Sequence, residues 1–297
     1  MYKYIEMPDG GAVQLEGDVL YDAWDVSTWA ANGVLERSAR RAIKWREVFE
    51  YTPEHWAEVK AQEARDLAAL SEKEREEKRL AHLRRAARRA KTMCRRVIIT
   101  EAFDELLTLT YRENQQDRAL CKAHFKEWVR RMKRALGGFR FCASFERQER
   151  GAMHVHIATH KLPQHAKYKG VKVKAWQVGT RIWRDIVGAN NGMCYVGGAT
   201  KNGGKRRNLS LSKMAGYVSK YILKDFEDHP EESNRYSRSN GTEVGKPERF
   251  TAYGLTDLDA INFVFERSDG QVLHSLKYRP FGSIWLCVED RPGGVHA

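Results

Sequence analysis

The chain has 297 residues, 42% of them hydrophobic, enough to bury a core and to exclude disorder throughout. Its 52 Lys and Arg against 39 Asp and Glu give a formal charge of +13, so a polyanion is the expected partner, with DNA, RNA and an acidic membrane surface not separated by charge alone. No apolar run approaches the roughly 18 residues of a membrane span, and the start MYKYIEMPDGG has neither a basic nor an apolar leader region, so a cytoplasmic protein with no membrane partner is expected.

Residues 1 to about 50 mix aromatics with short turns, and Trp24, Trp29, Trp45 and Trp56 suggest a small helical layer. From about Pro53 to Arg96 strong helix formers dominate, ending in RLAHLRRAARRAKTMCRR. Here Arg84, Arg85, Arg88 and Arg89 are candidate DNA-binding residues, because Lys and Arg contacts to phosphate supply most non-specific affinity; a solvated charged face is the competing reading. Residues 1–95 are therefore expected to form a helical, basic accessory region.

LLTLTY, Leu106 to Tyr111, alternates apolar residues with Thr as a half-buried strand does. Residues 117–136 bring Leu120, Phe125, Trp128, Val129, Met132 and Leu136 to helical spacing, stopped by Gly137-Gly138. Strands at 139–148 and 153–159, a helix near 174–187, a short strand at 193–196 and a helix near 211–225 complete a β-α-β-β-α-β-α order. That order predicts an α+β core over 96–225, a central and mainly antiparallel sheet with helices packed on one face. Residues 226–249 read as a polar surface loop, and INFVFER and SIWLCVE as strands, so 226–297 is expected to be a polar loop and a β-rich C-terminal extension of the core. Cys94, Cys121, Cys142, Cys194 and Cys287 are odd in number and never spaced C-x-x-C, which predicts reduced packing thiols.

Two stretches carry chemistry. In FRFCASFERQ and MHVHIATH, strand alternation puts Phe139, Phe141, Ala143, Phe145, Met153, Val155 and Ile157 on one face. Glu146, Gln148, His154, His156 and His160 fall on the other. Cross-strand partners share a face, so the loop must have an odd count. A three-residue turn Arg150-Gly151-Ala152 predicts Gln148 opposite His154 and Glu146 opposite His156. Two imidazoles and a carboxylate suit a divalent ion, Mg²⁺ or Mn²⁺ in use and Zn²⁺ or Ni²⁺ by affinity, with Glu146, His154 and His156 as ligands and Gln148 as the competing third. His160 is expected to have a surface or DNA-side role. In KMAGYVSKYILKD the pattern Y-x-x-K occurs twice, and on a helix Tyr217, Lys220, Tyr221 and Lys224 fall within an arc of roughly 100°. Adjacent ammonium groups favour phenolate and offset charge on a phosphate under attack, so these four are the candidate catalytic residues of a phosphodiester transesterase, Tyr221 attacking first because Lys224-Asp225 follows it.

LLTLTY, HVH at 154–156 and YVSKYILKD occur in the order and at the spacing of the HUH endonucleases, and the chain most resembles the two-tyrosine rolling-circle replication initiators of phages and plasmids. The resemblance spans about residues 95–225. It implies the palm-like βαββαβ nuclease fold, Glu146 completing the metal site, nicking of single-stranded origin DNA, a 5′-phosphotyrosine link and a free 3′-OH primer. No G-x-x-x-x-G-K-[ST] is present, so a separate host- or element-encoded helicase is expected, together with a DNA polymerase. A transposase or relaxase of the same chemistry remains an alternative. So does a non-catalytic nucleic-acid-binding protein with a structural ion. A histidine-triad hydrolase is disfavoured by Ala158.

Overall fold

The structure is a computed structural model describing residues 1–197, 209–224, 226–227, 234–266, 271–279 and 282–290. The chain forms two compact units, Met1–Leu80 with Gly245–Ala297, and Ala81–Val244.

Residues 2–51 are strands, β1 (Tyr2–Glu6), β2 (Ala12–Ala31) and β3 (Val34–Tyr51), which corrects the helical reading of this region. The deciding local signal is Asn32-Gly33, with φ of 47° and 72°. It is a two-residue turn that matches the twist of paired strands and sets Ala31 opposite Val34. Helices follow: α1 (Pro53–Ala69) is capped by Thr52, whose Oγ1 accepts from His55 N. The 29-residue α2 (Glu72–Thr100) opens on a Ser71–Glu74 capping box, with Ser71 N donating to Glu74 Oε2 at 3.0 Å and Glu74 N to Ser71 Oγ at 3.3 Å. Its second half, from Ala81, belongs to the second unit.

The second unit continues with β4 (Glu105–Tyr111), α3 (Arg118–Leu136), β5 (Phe141–Arg147), β6 (Met153–Thr159), β7 (His165–Tyr168), β8 (Val171–Lys174), α4 (Ala175–Val187), β9 (Gly192–Val196), α5 (Leu211–Lys220) and β10 (Tyr236–Arg238). A five-stranded sheet in the order β10-β5-β6-β4-β9 is antiparallel throughout, giving the expected α+β class. Asp117 caps α3 by accepting from Ala119 N and Leu120 N, and Gly137 ends it at a φ of 69° that only glycine adopts freely. On one face of the sheet Leu107, Leu109, Phe145, Val155 and Ile157 are buried against Phe125, Trp128 and Met132 of α3 and Ile182 and Trp183 of α4. The other face is also covered. Ser144 Oγ donates to Val218 O of α5 at 2.6 Å, and Cys94 Sγ of α2 lies 3.5 Å from Cys142 Sγ. Helices therefore flank both faces, where the sequence reading placed them on one: Cys142, Ser144 and Ala158 are small enough to admit a second helical layer. The β7–β8 ribbon, turned at Lys169-Gly170, was not anticipated. All five cysteines are buried and unbonded, as expected of packing thiols.

The C-terminal strands β11 (Glu248–Tyr253), β12 (Gln271–Arg279) and β13 (Ser283–Asp290) join the sheet of the first unit, β13 beside β3 and β11 on β2. They do not extend the five-stranded sheet, which corrects the expected extension of the core. INFVFER is not a strand either: it lies largely in α6 (Asp257–Glu266). Thr256 and Asp259 form a second capping box ahead of it, and Ala260 and Val264, one helical turn apart, are buried against Trp24, Ile284 and Leu286. The cap outweighs the β propensity of Ile, Phe and Val. Among the described residues no helix is long and apolar enough to cross a membrane.

Candidate metal and tyrosine site

The hairpin β5–β6 keeps the expected face and differs from the expected register by two residues. Glu146 pairs with His154 and Ser144 with His156, so the loop holds five residues, 148–152. Contacts remote in sequence fix the wider loop. Met153 N donates to Gln115 O, Arg150 donates from Nη1 and Nη2 to the carbonyls of Arg112 and Tyr111, and Gln148 N closes on Ala152 O at 2.9 Å. Because the count stays odd, the polar side chains stay together.

Ligand atoms of Glu146, His154 and His156 lie within 4.8 Å of one another, near the spacing of roughly 3–4 Å that two ligands of one ion at about 2.1 Å keep. Glu146 is the carboxylate of the cluster. Gln148 lies in the loop beyond the strand, its Oε1 accepting from Arg150 Nε at 3.4 Å. The donor set fits a divalent ion on a further ground: both imidazoles are held neutral. Burial, then the neighbouring His156, pushes His154 down to about 4, and burial also lowers His156 against the opposing pull of Glu146. His156 Nε2 donates to Glu146 Oε2 at 2.8 Å, and Thr108 Oγ1 sits 3.4 Å from Nδ1, where it can take the proton that Nε2 must give up to bind a cation. Oε1 of Glu146 accepts from Lys224 Nζ at 2.7 Å. Histidine and lysine together hold the Glu146 carboxyl below its usual range, against the cost of burial.

The tyrosines reach this cluster from α5. The helix is α-helical only to Lys220 and tightens to a 3₁₀ turn over Tyr221–Leu223, where the sequence suggested an α-helix to 225. Val218 and Ile222 are buried and seat it. The Tyr221 ring stacks on His156, centroids 4.1 Å apart and planes 9° off parallel, and Tyr217 meets both rings edge-on at 5.4 Å. Lys220 Nζ lies over the ring faces, 4.4 Å from Tyr217 and 4.7 Å from Tyr221. The expectation that lysines draw Tyr221 toward phenolate is not met. Burial pushes its phenol well up, and the hydrogen bond with Tyr217 adds to this. Tyr221 is 7% exposed, Tyr217 is half-buried, and Asp225 lies outside the described residues.

Glu146, both histidines and both tyrosines line one cleft of about 990 Å³. Arg112, Arg150 and Arg184 line it against a single carboxylate, Glu146, which favours an anionic occupant. Thr108, Thr110, Ser144 and Tyr195 were not singled out from the sequence. Their signal was strand pairing: Thr108 lies opposite both His156 and Tyr195, and Thr110 opposite both His154 and Met193. The remaining candidates lie elsewhere. His160 is exposed and packs edge-on against Phe103 at 4.9 Å. Arg84, Arg85, Arg88 and Arg89 are exposed on α2 and do not line the cleft, although the Arg84 guanidinium lies 5.2 Å from the ring of Phe226, just past the tyrosine segment.

A carboxylate and two neutral imidazoles beneath paired phenols in a cationic cleft define a site suited to a phosphate-bearing ligand. Residues 104–226, within the second unit and less than half of the chain, match the family model described as Replication-associated protein, of the ORF2 type. This segment is thereby similar to replication-associated proteins, in keeping with a rolling-circle initiator. Neither a curated protein nor a solved structure matches the chain.

Proposed function

We propose that the protein is a rolling-circle replication initiator that nicks and rejoins single-stranded origin DNA through a tyrosine. The observation that carries this reading is the convergence of both phenol rings, at 4.1 and 5.4 Å, on His156 of the one histidine–carboxylate cluster found among the described residues. Glu146, His154 and His156 would hold Mg²⁺ or Mn²⁺, which when bound polarises the non-bridging oxygens of the scissile phosphate. The phenol oxygen forms a bond to phosphorus as the P–O3′ bond breaks. The phenol gives up its proton and the departing 3′ oxygen takes one, so the exchange leaves a 5′-phosphotyrosine and a free 3′-OH with no net proton change. Because one ester replaces another, the same residues run the reverse step and rejoin the strand. Lys220 and Lys224 offset charge on the phosphate.

Tyr217 is the better placed to attack first, since it is half-exposed while Tyr221 is buried, stacked and raised in pKa; Tyr221 then serves the second transfer. A separate helicase and polymerase would act on the opened strand.

The test is incubation of the full chain with labelled single-stranded DNA of randomised sequence and Mn²⁺, resolved on denaturing gels. A covalent adduct is expected from the wild type, a larger loss of first adduct with Tyr217→Phe than with Tyr221→Phe, and none from the double variant. No adduct from the wild type under any divalent ion overturns the reading.

A further inference from the structure

Tyr195 stands on β9, the edge strand of the five-stranded sheet, and is 43% exposed while its neighbour Cys194 is buried. Directly opposed residues share a face, and Thr108 opposes His156 on one side and Tyr195 on the other, so the three form one transverse row. Tyr195 is thus two strand spacings from His156, about 10 Å, with only the short Thr108 side chain between them. It lines the same cleft as the tyrosine pair. The rings of Tyr217 and Tyr221 lie against each other and His156, and Tyr111 is buried with its hydroxyl 3.1 Å from His124 Nδ1. By contrast, Tyr195 shows no ring contact or hydrogen bond among the described residues. An exposed aromatic face at the end of a cationic cleft matches the stacking platforms on which single-stranded nucleic acids lay their bases.

We propose that Tyr195 is the base-stacking residue of the site, holding a nucleobase one or two positions from the scissile phosphate and so setting the register in which the strand enters. This rests on single-stranded DNA being the ligand. The role belongs to the ring and not to the hydroxyl, which separates Tyr195 from the two nucleophile candidates. Stacking depends little on base identity, so the residue positions the strand without choosing its sequence.

The experiment measures binding of fluorescein-labelled oligo(dT) carrying a single 2-aminopurine at successive positions. It uses the full-length Tyr217→Phe/Tyr221→Phe protein, which cannot cleave, with Tyr195 intact or replaced by Phe, Trp or Ala. With Tyr195, Phe or Trp, 2-aminopurine fluorescence is expected to be quenched at one position and affinity to be retained. Tyr195→Ala is expected to abolish that quench and weaken binding roughly 5- to 100-fold. Equal affinity and equal quenching with Ala overturn this inference and leave the proposed function standing. An effect of Phe as large as that of Ala overturns it too, because the hydroxyl would then be the active group. No binding of single strands by the parent protein sinks the proposed function and this inference with it.

Discussion

Replacing Glu146 by glutamine keeps the side chain's shape and removes its charge, which separates a metal ligand from a structural carboxylate. In the structure Oε2 accepts from His156 Nε2 at 2.8 Å and Oε1 from Lys224 Nζ at 2.7 Å. The carboxylate side chain is 11% exposed and Lys224 is 46% exposed, so the lysine pair is partly screened and worth less than about 1 kcal/mol. The buried carboxylate–imidazole bond is worth about 1.5–3 kcal/mol, and an amide oxygen recovers part of it. Without metal, Glu146→Gln is therefore expected to lower unfolding free energy by about 1–2 kcal/mol. A bound ion adds about 2.7 kcal/mol at a free concentration near 100 times its dissociation constant, and that increment depends on the ligand set. Urea unfolding with and without Mn²⁺ reads both quantities. The wild type should gain stability from Mn²⁺ and Glu146→Gln should gain little, with adduct formation lost in parallel. A variant that gains as much from Mn²⁺ as the wild type refutes the assignment of Glu146 as a ligand.

Ser144→Ala removes the buried 2.6 Å bond to Val218 O and leaves that carbonyl unpaired, so a loss of about 1–3 kcal/mol in urea unfolding and a lower adduct yield are expected, with Mn²⁺ stabilisation unchanged. Changing Arg84, Arg85, Arg88 and Arg89 to Gln should lower affinity for single strands and flatten its salt dependence by up to about 0.7 log units for each phosphate no longer neutralised, measured by anisotropy across a salt series; an unchanged slope would mark them as solvated surface. Arg140 donates to Glu101 and holds its carboxyl below 4.5. A lowered folded pKa stabilises above the unfolded value and is lost as pH falls through the folded one. Unfolding monitored from neutral pH downward should therefore show the wild type losing stability below about 4.5, while Glu101→Gln is less stable at neutral pH and flatter in acid.

What was legible in the sequence follows the reach of the forces that set each feature. The strand and helix order of the second unit rests on local periodicity and caps, and Asp117 before α3 and Gly137 after it fix the ends of that helix from within a few residues. The same kind of signal lay unread at Asn32-Gly33 and at Thr256-x-x-Asp259, where tryptophans suggested a helix and Ile, Phe and Val a strand; a turn or cap constrains the backbone more tightly than side-chain composition does. Register was different in kind. The five-residue loop depends on Gln115, Tyr111 and Arg112, more than 30 residues upstream of it, and no short-range rule supplies those contacts. The site survived the error because side chains on a strand repeat every two residues: a shift of two preserves every face while changing every partner. The candidate cluster was therefore readable from parity alone. The pairing that puts Glu146 opposite His154 and carries the row out through Thr108 to Tyr195 required the folded sheet. The phenol chemistry shows the complementary limit. Helical spacing brought lysines and tyrosines together, but the sign of the shift at Tyr221 is set by how deeply the 3₁₀ turn presses its ring onto His156. Depth of burial belongs to tertiary packing, and there it outweighs the nearby charges.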